Sequence, residues 1–388
     1  MPNSPNTIYL DYAAATPLDK RVFLAMEPYF SDRFYNPSSP YIAGKQIRTA
    51  LNDAKLQIGK VIGSKPAEVI FTAGATESIN IAIQGVMAAN PGGHIVTSAI
   101  EHPAVLNTVK NFDHTFVKPE HNGLVAPESI RNSIKENTVL ISIGYVNNEI
   151  GTVQRLSEIG RIVKDVRASR TADHNKTPIY LHTDASQAAG LFDLHTARLG
   201  MDLLTLNAGK CYGPKQVGLL WVKTGVVIKP VIFGGGQEYG QRSGTENVAG
   251  SIGLAEALKI ADGMRHEEVK RIGNLRDKLQ NKIVNALPDT VVSGHPKLRS
   301  PANLHLAWPR LDGERLLYAL DNEGILVATG SACAANKGTR SHVLEAIGLK
   351  PDIADGSVRI TLGRYTTETE VDKTAELIIR LVNLERSK

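Results

Sequence analysis

The chain has 388 residues, 42% of them hydrophobic and 21% charged, with a formal net charge of +5. That length predicts about two domains, and the apolar share excludes a disordered chain. No apolar run approaches the ~20 residues of a membrane helix, and no basic run with interleaved aromatics points to nucleic acid. Cys211 and Cys333 form no Cys-x-x-Cys pair. They read as free thiols rather than as a metal site or a disulfide framework. Met1–Asn6 has neither a basic cluster nor an apolar stretch, so no secretory signal is visible and a cytoplasmic location is expected.

Between about residues 45 and 260, short apolar runs alternate with helix-like stretches. Strands are predicted at 68–72, 94–98, 114–117, 138–146, 179–183, 201–206 and 217–222, and amphipathic helices at 47–61, 78–89 and 156–168. This alternation predicts an α/β fold with a mostly parallel sheet between helices, in which ligands gather at the carboxyl ends of strands. After Gly234-Gly235-Gly236 the pattern changes. A long charged helix is predicted over 249–287, broken near Gly263 and ended by Pro288. Strands at 303–307 and 325–328 and helices at 341–347 and 369–385 complete a smaller α+β domain. The N-terminal segment 7–15 is expected to pack with it. The predicted division is 16–262 for the large domain, with 1–15 and 263–388 for the small one.

Lys210 follows the apolar run Met201–Leu206, and Asp184 ends the run Ile179–Thr183. A lysine amine that forms a Schiff base with an aldehyde, and an aspartate that keeps a pyridine nitrogen protonated, are what a pyridoxal phosphate enzyme needs. Alone, Lys210 reads first as a solvated loop lysine, and Asp184 reads as well as a capping aspartate. Gly74-Ala75-Thr76-Glu77-Ser78 opens a helix after a strand, where backbone N–H groups suit a phosphate or simply begin a helix. His102 follows another strand and is placed to stack on a flat cofactor or relay protons, or is an ordinary loop histidine. Asn147-Asn148 ends a strand, where the amides suit a cofactor oxygen or a substrate carboxylate, or simply form a turn. Gln187 lies three residues after Asp184. Cys333 sits in Gly330-Ser331-Ala332-Cys333-Ala334-Ala335-Asn336-Lys337-Gly338, a stretch small and polar enough to present a reactive thiol. Arg359 is suited to bidentate capture of a carboxylate, or to a surface ion pair.

These motifs resemble, nearly end to end, the cysteine desulfurases of the class V aminotransferase-like, fold type I pyridoxal phosphate enzymes. The resemblance is carried by the YLDYAAATP run at 9–17, Asn36-Pro37-Ser38-Ser39, the FTAGATES run at 71–78, VNNEIGT at 146–152, GGGQEYGQRSGTENV at 234–248, Gly330-Ser331-Ala332-Cys333 and the RITLGR run at 359–364. The long stretch around Cys333, about 328–340, is similar to the branch that serves iron–sulfur cluster assembly and tRNA thiolation.

The resemblance implies a seven-stranded large domain, a homodimer and conversion of L-cysteine to L-alanine. Lys210 would bind the cofactor and shuttle the Cα proton, Asp184 would pair with the pyridinium, and His102 would stack on the ring. Gln187 would contact the phenolic oxygen. Ala75 (through its N–H), Thr76 and Asn207 would meet the phosphate, and Thr245 would reach the phosphate bound by a partner subunit. Asn148 and Arg359 would receive the substrate carboxylate. Cys333 would take the sulfur as a persulfide and pass it to an acceptor protein. Alternatives in view are a selenocysteine lyase or another pyridoxal phosphate lyase or aminotransferase, and a scaffold or sulfur-carrier partner.

The chain departs from the family beside the lysine. Where relatives have serine, any residue, histidine, this sequence has Asn207-Ala208-Gly209. Loss of the histidine's charge-assisted bond to phosphate predicts weaker cofactor retention, by ~1.5–3 kcal/mol. Tyr41 stands where relatives have histidine. Cys211 reads as a small packing residue.

Overall fold

The computed structural model describes residues 7–329 and 340–387. Among these residues twelve strands form three sheets. They are β1 (Ile8–Tyr9), β2 (Val69–Thr72), β3 (His94–Ser98), β4 (Asp113–Val117), β5 (Thr138–Ser142), β6 (Tyr180–Asp184), β7 (Leu203–Asn207), β8 (Gly218–Val222), β9 (Val291–Ser293), β10 (Asn303–Ala307), β11 (Ile325–Leu326) and β12 (Ser357–Thr361).

The large sheet has the order β2-β8-β7-β6-β5-β3-β4. Only β8 runs against its neighbours; the other pairings are parallel. Residues of β2, β3, β5 and most of β6 to β8 are buried, as expected of strands covered on both faces. One apolar cluster on one side of this sheet includes Ile58, Val96, Ile141, Leu181 and Leu258. Another includes Ile79, Ile83, Ile95, Leu140 and Leu220.

A second sheet, β12-β10-β9, is antiparallel. It builds a separate core from Leu304, Leu306, Trp308, Ile360 and Ile378. The N-terminal segment joins that core: β1 pairs with β11, and Leu10 is fully buried there.

The predicted break near Gly263 is absent. The helix Val248–Ala286 runs unbroken for 39 residues, and a side chain at Gly263 would meet open space. A single exposed glycine costs a helix about 1 kcal/mol, which packing on both sides of that point outweighs. The strand expected over 138–146 ends at Ser142. Beyond it the Gly144 N–H turns to the carboxylate of Glu101 rather than to a neighbouring strand. The strand expected from Met201 begins at Leu203, because the Asp202 carboxylate takes the Leu181 N–H and Arg167 instead.

No helix among the described residues is long and apolar enough to cross a membrane.

Candidate active site

The carboxyl ends of β2, β3, β5, β6 and β7 open on one edge of the large sheet, where the backbone leaves the ladder and its loops converge. They surround a cavity of about 260 Å³. Its walls include Ala75, Thr76, His102, Asn148, Asp184, Gln187, Asn207, Lys210 and Arg359. Nine positions expected from the sequence are thus brought together from six different strand ends and loops.

At one end lies the start of the helix Ala75–Ala89. Gly74 precedes it with φ +140°, a backbone conformation that disfavours any side chain. The first N–H groups of a helix have no intrahelical acceptor, and the helix dipole favours an anion there. Thr76 adds a hydroxyl. Across from it Asn207 uses its Oδ1 to accept the Gly209 N–H at 3.0 Å, which leaves the Nδ2 hydrogens for a ligand. A Cβ added at Gly209 would find its nearest neighbour, Asn207 Oδ1, at 3.4 Å, an ordinary contact, so a side chain's first atom is tolerated there.

Asp184 ends β6. One carboxylate oxygen accepts the Ser186 N–H at 2.9 Å, so the residue caps its own turn and still lines the cavity. His102 precedes the short helix Pro103–Val109, and its Nδ1 accepts the Ala104 N–H at 3.1 Å. That bond places the ring proton on Nε2. Burial, joined by the Lys210 charge, lowers the His102 pKa against an opposing pull from Asp184, which favours the neutral ring.

Lys210 stands one turn past β7. Its Nζ donates to the carbonyls of Ala13 at 2.7 Å and Ala14 at 2.6 Å. The Gln187 amide donates to the same Ala13 carbonyl at 3.0 Å. The N-terminal segment, far away in sequence, therefore closes the lysine side of the cavity. Cys211, next in the chain, points away. It is buried, its thiol donates to the Ala208 carbonyl at 3.5 Å, and burial pushes its pKa up to about 12. That is an inert packing thiol.

Arg359 enters from the other sheet. It is fully buried on β12, donates through Nη2 to Asp11 Oδ1 at 2.6 Å and through Nη1 to the Asn148 carbonyl at 3.2 Å. Thr245 is exposed and lies outside this cavity. Cys333 lies outside the described residues.

Glu101 also lines the cavity, and sequence reasoning assigned it no role. Its carboxyl group is completely buried, accepts from Ser98 Oγ at 2.6 Å and straddles the Gly144 N–H at 2.9 and 3.0 Å. Desolvation raises its pKa to about 7. A side chain at Gly144 would sit 2.9 Å from that carboxylate, so glycine is required for the approach. The sequence signal was present: a carboxylate beside the expected histidine, at the end of a buried strand, needs donors.

The donor set fits pyridoxal phosphate. It offers a helix N-terminus for the phosphate, a carboxylate for the ring nitrogen, a neutral imidazole beside the ring and a lysine amine for the aldehyde. A family model described as aminotransferase class-V matches residues 8–374. The chain belongs to that family, in its cysteine desulfurase branch. It is 41% identical to "Cysteine desulfurase IscS" of Dictyoglomus turgidum, over 97% of this chain and 94% of the relative. It is 40% identical to the protein of the same name from Methanosarcina thermophila, over 97% and 92%. Among solved structures, a "NifS-like protein" superposes with a TM-score of 0.89 at 34% identity, covering 97% of this chain and all of that one. "SspA in complex with cysteine" gives 0.80 at 33% identity, covering 93% and all of that chain.

Proposed function

We propose that this protein converts L-cysteine to L-alanine and carries the released sulfur as a persulfide on Cys333. The observation that carries the reading is the meeting of Lys210, Asp184, His102 and Arg359 around one cavity at the ligand-binding edge of the sheet. Pyridoxal phosphate, when bound, supplies a ring that takes up the electron pair left at the substrate Cα.

The remaining work falls to the chain. Lys210 Nζ would hold the cofactor and would move the Cα proton. The Asp184 carboxylate keeps the ring nitrogen protonated. His102 lies against the ring with its proton on Nε2. Gln187 reaches the phenolic oxygen with the amide hydrogen not given to Ala13. The Ala75 N–H, Thr76 hydroxyl and Asn207 amide hold the phosphate. Arg359 and Asn148 fix the substrate carboxylate. Cys333 attacks as thiolate: the substrate Cβ–S bond breaks, an S–S bond forms on Cys333, and the carbon skeleton leaves as alanine after gaining the protons.

The flanks of the segment that holds Cys333 support this role. Ala328 and Arg359 exchange backbone hydrogen bonds at 2.6 and 3.1 Å. Past the segment, Ser341 Oγ donates to Glu149 at 2.5 Å, and His342 bonds the Glu101 carbonyl at 2.9 Å. The chain therefore leaves and returns beside the cavity.

The domain division at about residue 262 and a homodimer belong to the same proposal. Phe30, Phe34, Tyr41 and Ile42 are exposed, with Phe34 stacked on Tyr35 at 4.7 Å, an apolar surface that a second copy would cover. Exposed Thr245 is then available to the phosphate site of the partner subunit. The sulfur acceptor is a cluster-assembly scaffold or a tRNA-thiolating enzyme. The deciding experiment feeds the enzyme cysteine labelled at sulfur. Alanine and protein-bound label on Cys333 should appear in equal amounts in the first turnover, and Cys333→Ala should abolish both. Survival of alanine production from cysteine in Cys333→Ala would overturn the reading.

A further inference from the structure

Arg359 reaches the cavity already engaged. Its Nη2 donates to the Asp11 carboxylate and its Nη1 to the Asn148 carbonyl, while its buried Nε has no hydrogen-bond partner among the described residues. The paired Nη groups that a carboxylate would grip are therefore held by protein oxygens, and one of those oxygens belongs to a charged group. The pair is poorly screened: the side chains are 2% exposed for Arg359 and 17% for Asp11.

Other titratable groups also lie near Arg359. His305 lies directly opposite it on β10, fully buried, with neither ring nitrogen partnered among the described residues. Burial and the Arg359 charge push its pKa down to about 3, so the ring is neutral. Glu149 is spent on Ser341, and burial raises its pKa.

We propose that Asp11 is a positioning residue that competes, from within the protein, with the substrate carboxylate for Arg359. It steers the guanidinium into the cavity wall and, through its charge, limits how strongly that group takes a second carboxylate. The proposal rests on the reading of Arg359 as the carboxylate-binding residue. An arriving amino acid must share the guanidinium with Asp11 or displace it, and like charges on one cation disfavour sharing. The product alanine carries the same carboxylate as the substrate, so the device also eases product departure.

Asp11→Asn keeps an oxygen acceptor for Nη2 and removes the charge. Propionate, which has a carboxylate but neither amine nor thiol, is the probe; its binding to the cofactor-loaded protein is read from the rise in thermal midpoint. Asp11→Asn should bind propionate about tenfold more tightly than wild type, the size expected for removing one partly screened like charge. The KM for cysteine should fall by a similar factor with a smaller change in kcat. Adding Arg359→Ala should erase the gain. If the asparagine variant does not fold by circular dichroism, Asp11→Ser is read in the same way. Propionate bound no more tightly than by wild type in a folded variant would overturn the proposal, as would a gain that survives Arg359→Ala. A wild-type protein that makes no alanine from cysteine would defeat the functional reading instead, and the propionate comparison would still judge Asp11.

Discussion

The cavity has two unlike walls. The large-sheet wall carries His102, Asp184, Asn207 and Lys210, each at or just past a strand end; the first three are oriented by bonds to residues two positions away, while Lys210 Nζ reaches back to the Ala13 and Ala14 carbonyls. The opposite wall is Arg359 on β12. Its orientation depends on Asp11, 348 residues away in sequence, and on Asn148, 211 residues away. Apart from the hold of the N-terminal segment on Lys210, the first wall is set by local chemistry and the second by long-range assembly. A change on the first should alter the chemistry and leave the fold intact, and a change on the second should disturb both.

The sharpest division between the walls comes from Lys210→Ala. Loss of the amine proposed to move the Cα proton should cut alanine formation at least ~10³-fold, with little change in thermal midpoint, measured by steady-state assay and calorimetry. Arg359→Ala should behave differently. kcat/KM for cysteine should fall about a hundredfold, mainly through KM. The protein should also lose roughly 1–3 kcal/mol, because the partly buried Asp11 carboxylate is left without its partner. Denaturant unfolding beside the kinetic assay checks both effects, and an Arg359→Ala variant with wild-type stability would erase the contrast.

This contrast explains what the sequence disclosed. Lys210, Asp184 and His102 were legible because each follows an apolar run whose length marks a strand, and the parallel sheet collects such ends. The seven large-sheet strands were found for the same reason, with boundaries shifted where a carboxylate captured a backbone N–H, as at Asp202 and Glu101. The Asp11–Arg359 pair and the Ala13 and Ala14 carbonyls that receive Lys210 were illegible. No periodicity links residues hundreds of positions apart. The continuity of the helix Val248–Ala286 past Gly263 was misjudged because tertiary contacts on either side override one weak propensity.

Glu101 sharpens the comparison by pH. Its carboxyl group titrates near 7 when folded and near its ordinary 4.5 when unfolded, because burial disfavours the charge. The folded state thus binds the extra proton more tightly, and stability from this group is complete below about 4.5 and lost as pH rises through 7. The full loss should amount to roughly 3 kcal/mol. Glu101→Gln keeps an acceptor for Gly144 and cannot ionise. Its stability relative to wild type should therefore rise between pH 5 and pH 8, measured by urea unfolding at both. A parallel decline in the two proteins would count against the buried acid.

The smallest effect is expected at the phosphate end. Gly209→His restores a charge-assisted donor at a position where an added Cβ meets only ordinary contacts. Titration of apoprotein should show pyridoxal phosphate bound about tenfold more tightly. Equal affinity would mean that Asn207 and the helix N-terminus already suffice.

The central claim is that the amine at position 210 captures the aldehyde of pyridoxal phosphate. Borohydride reduction of the cofactor-loaded protein, followed by proteolysis and peptide mass mapping, tests it directly. One stoichiometric pyridoxyl adduct, on Lys210, is expected. Label spread over surface lysines, or a peptide containing Lys210 that stays unmodified, would contradict it.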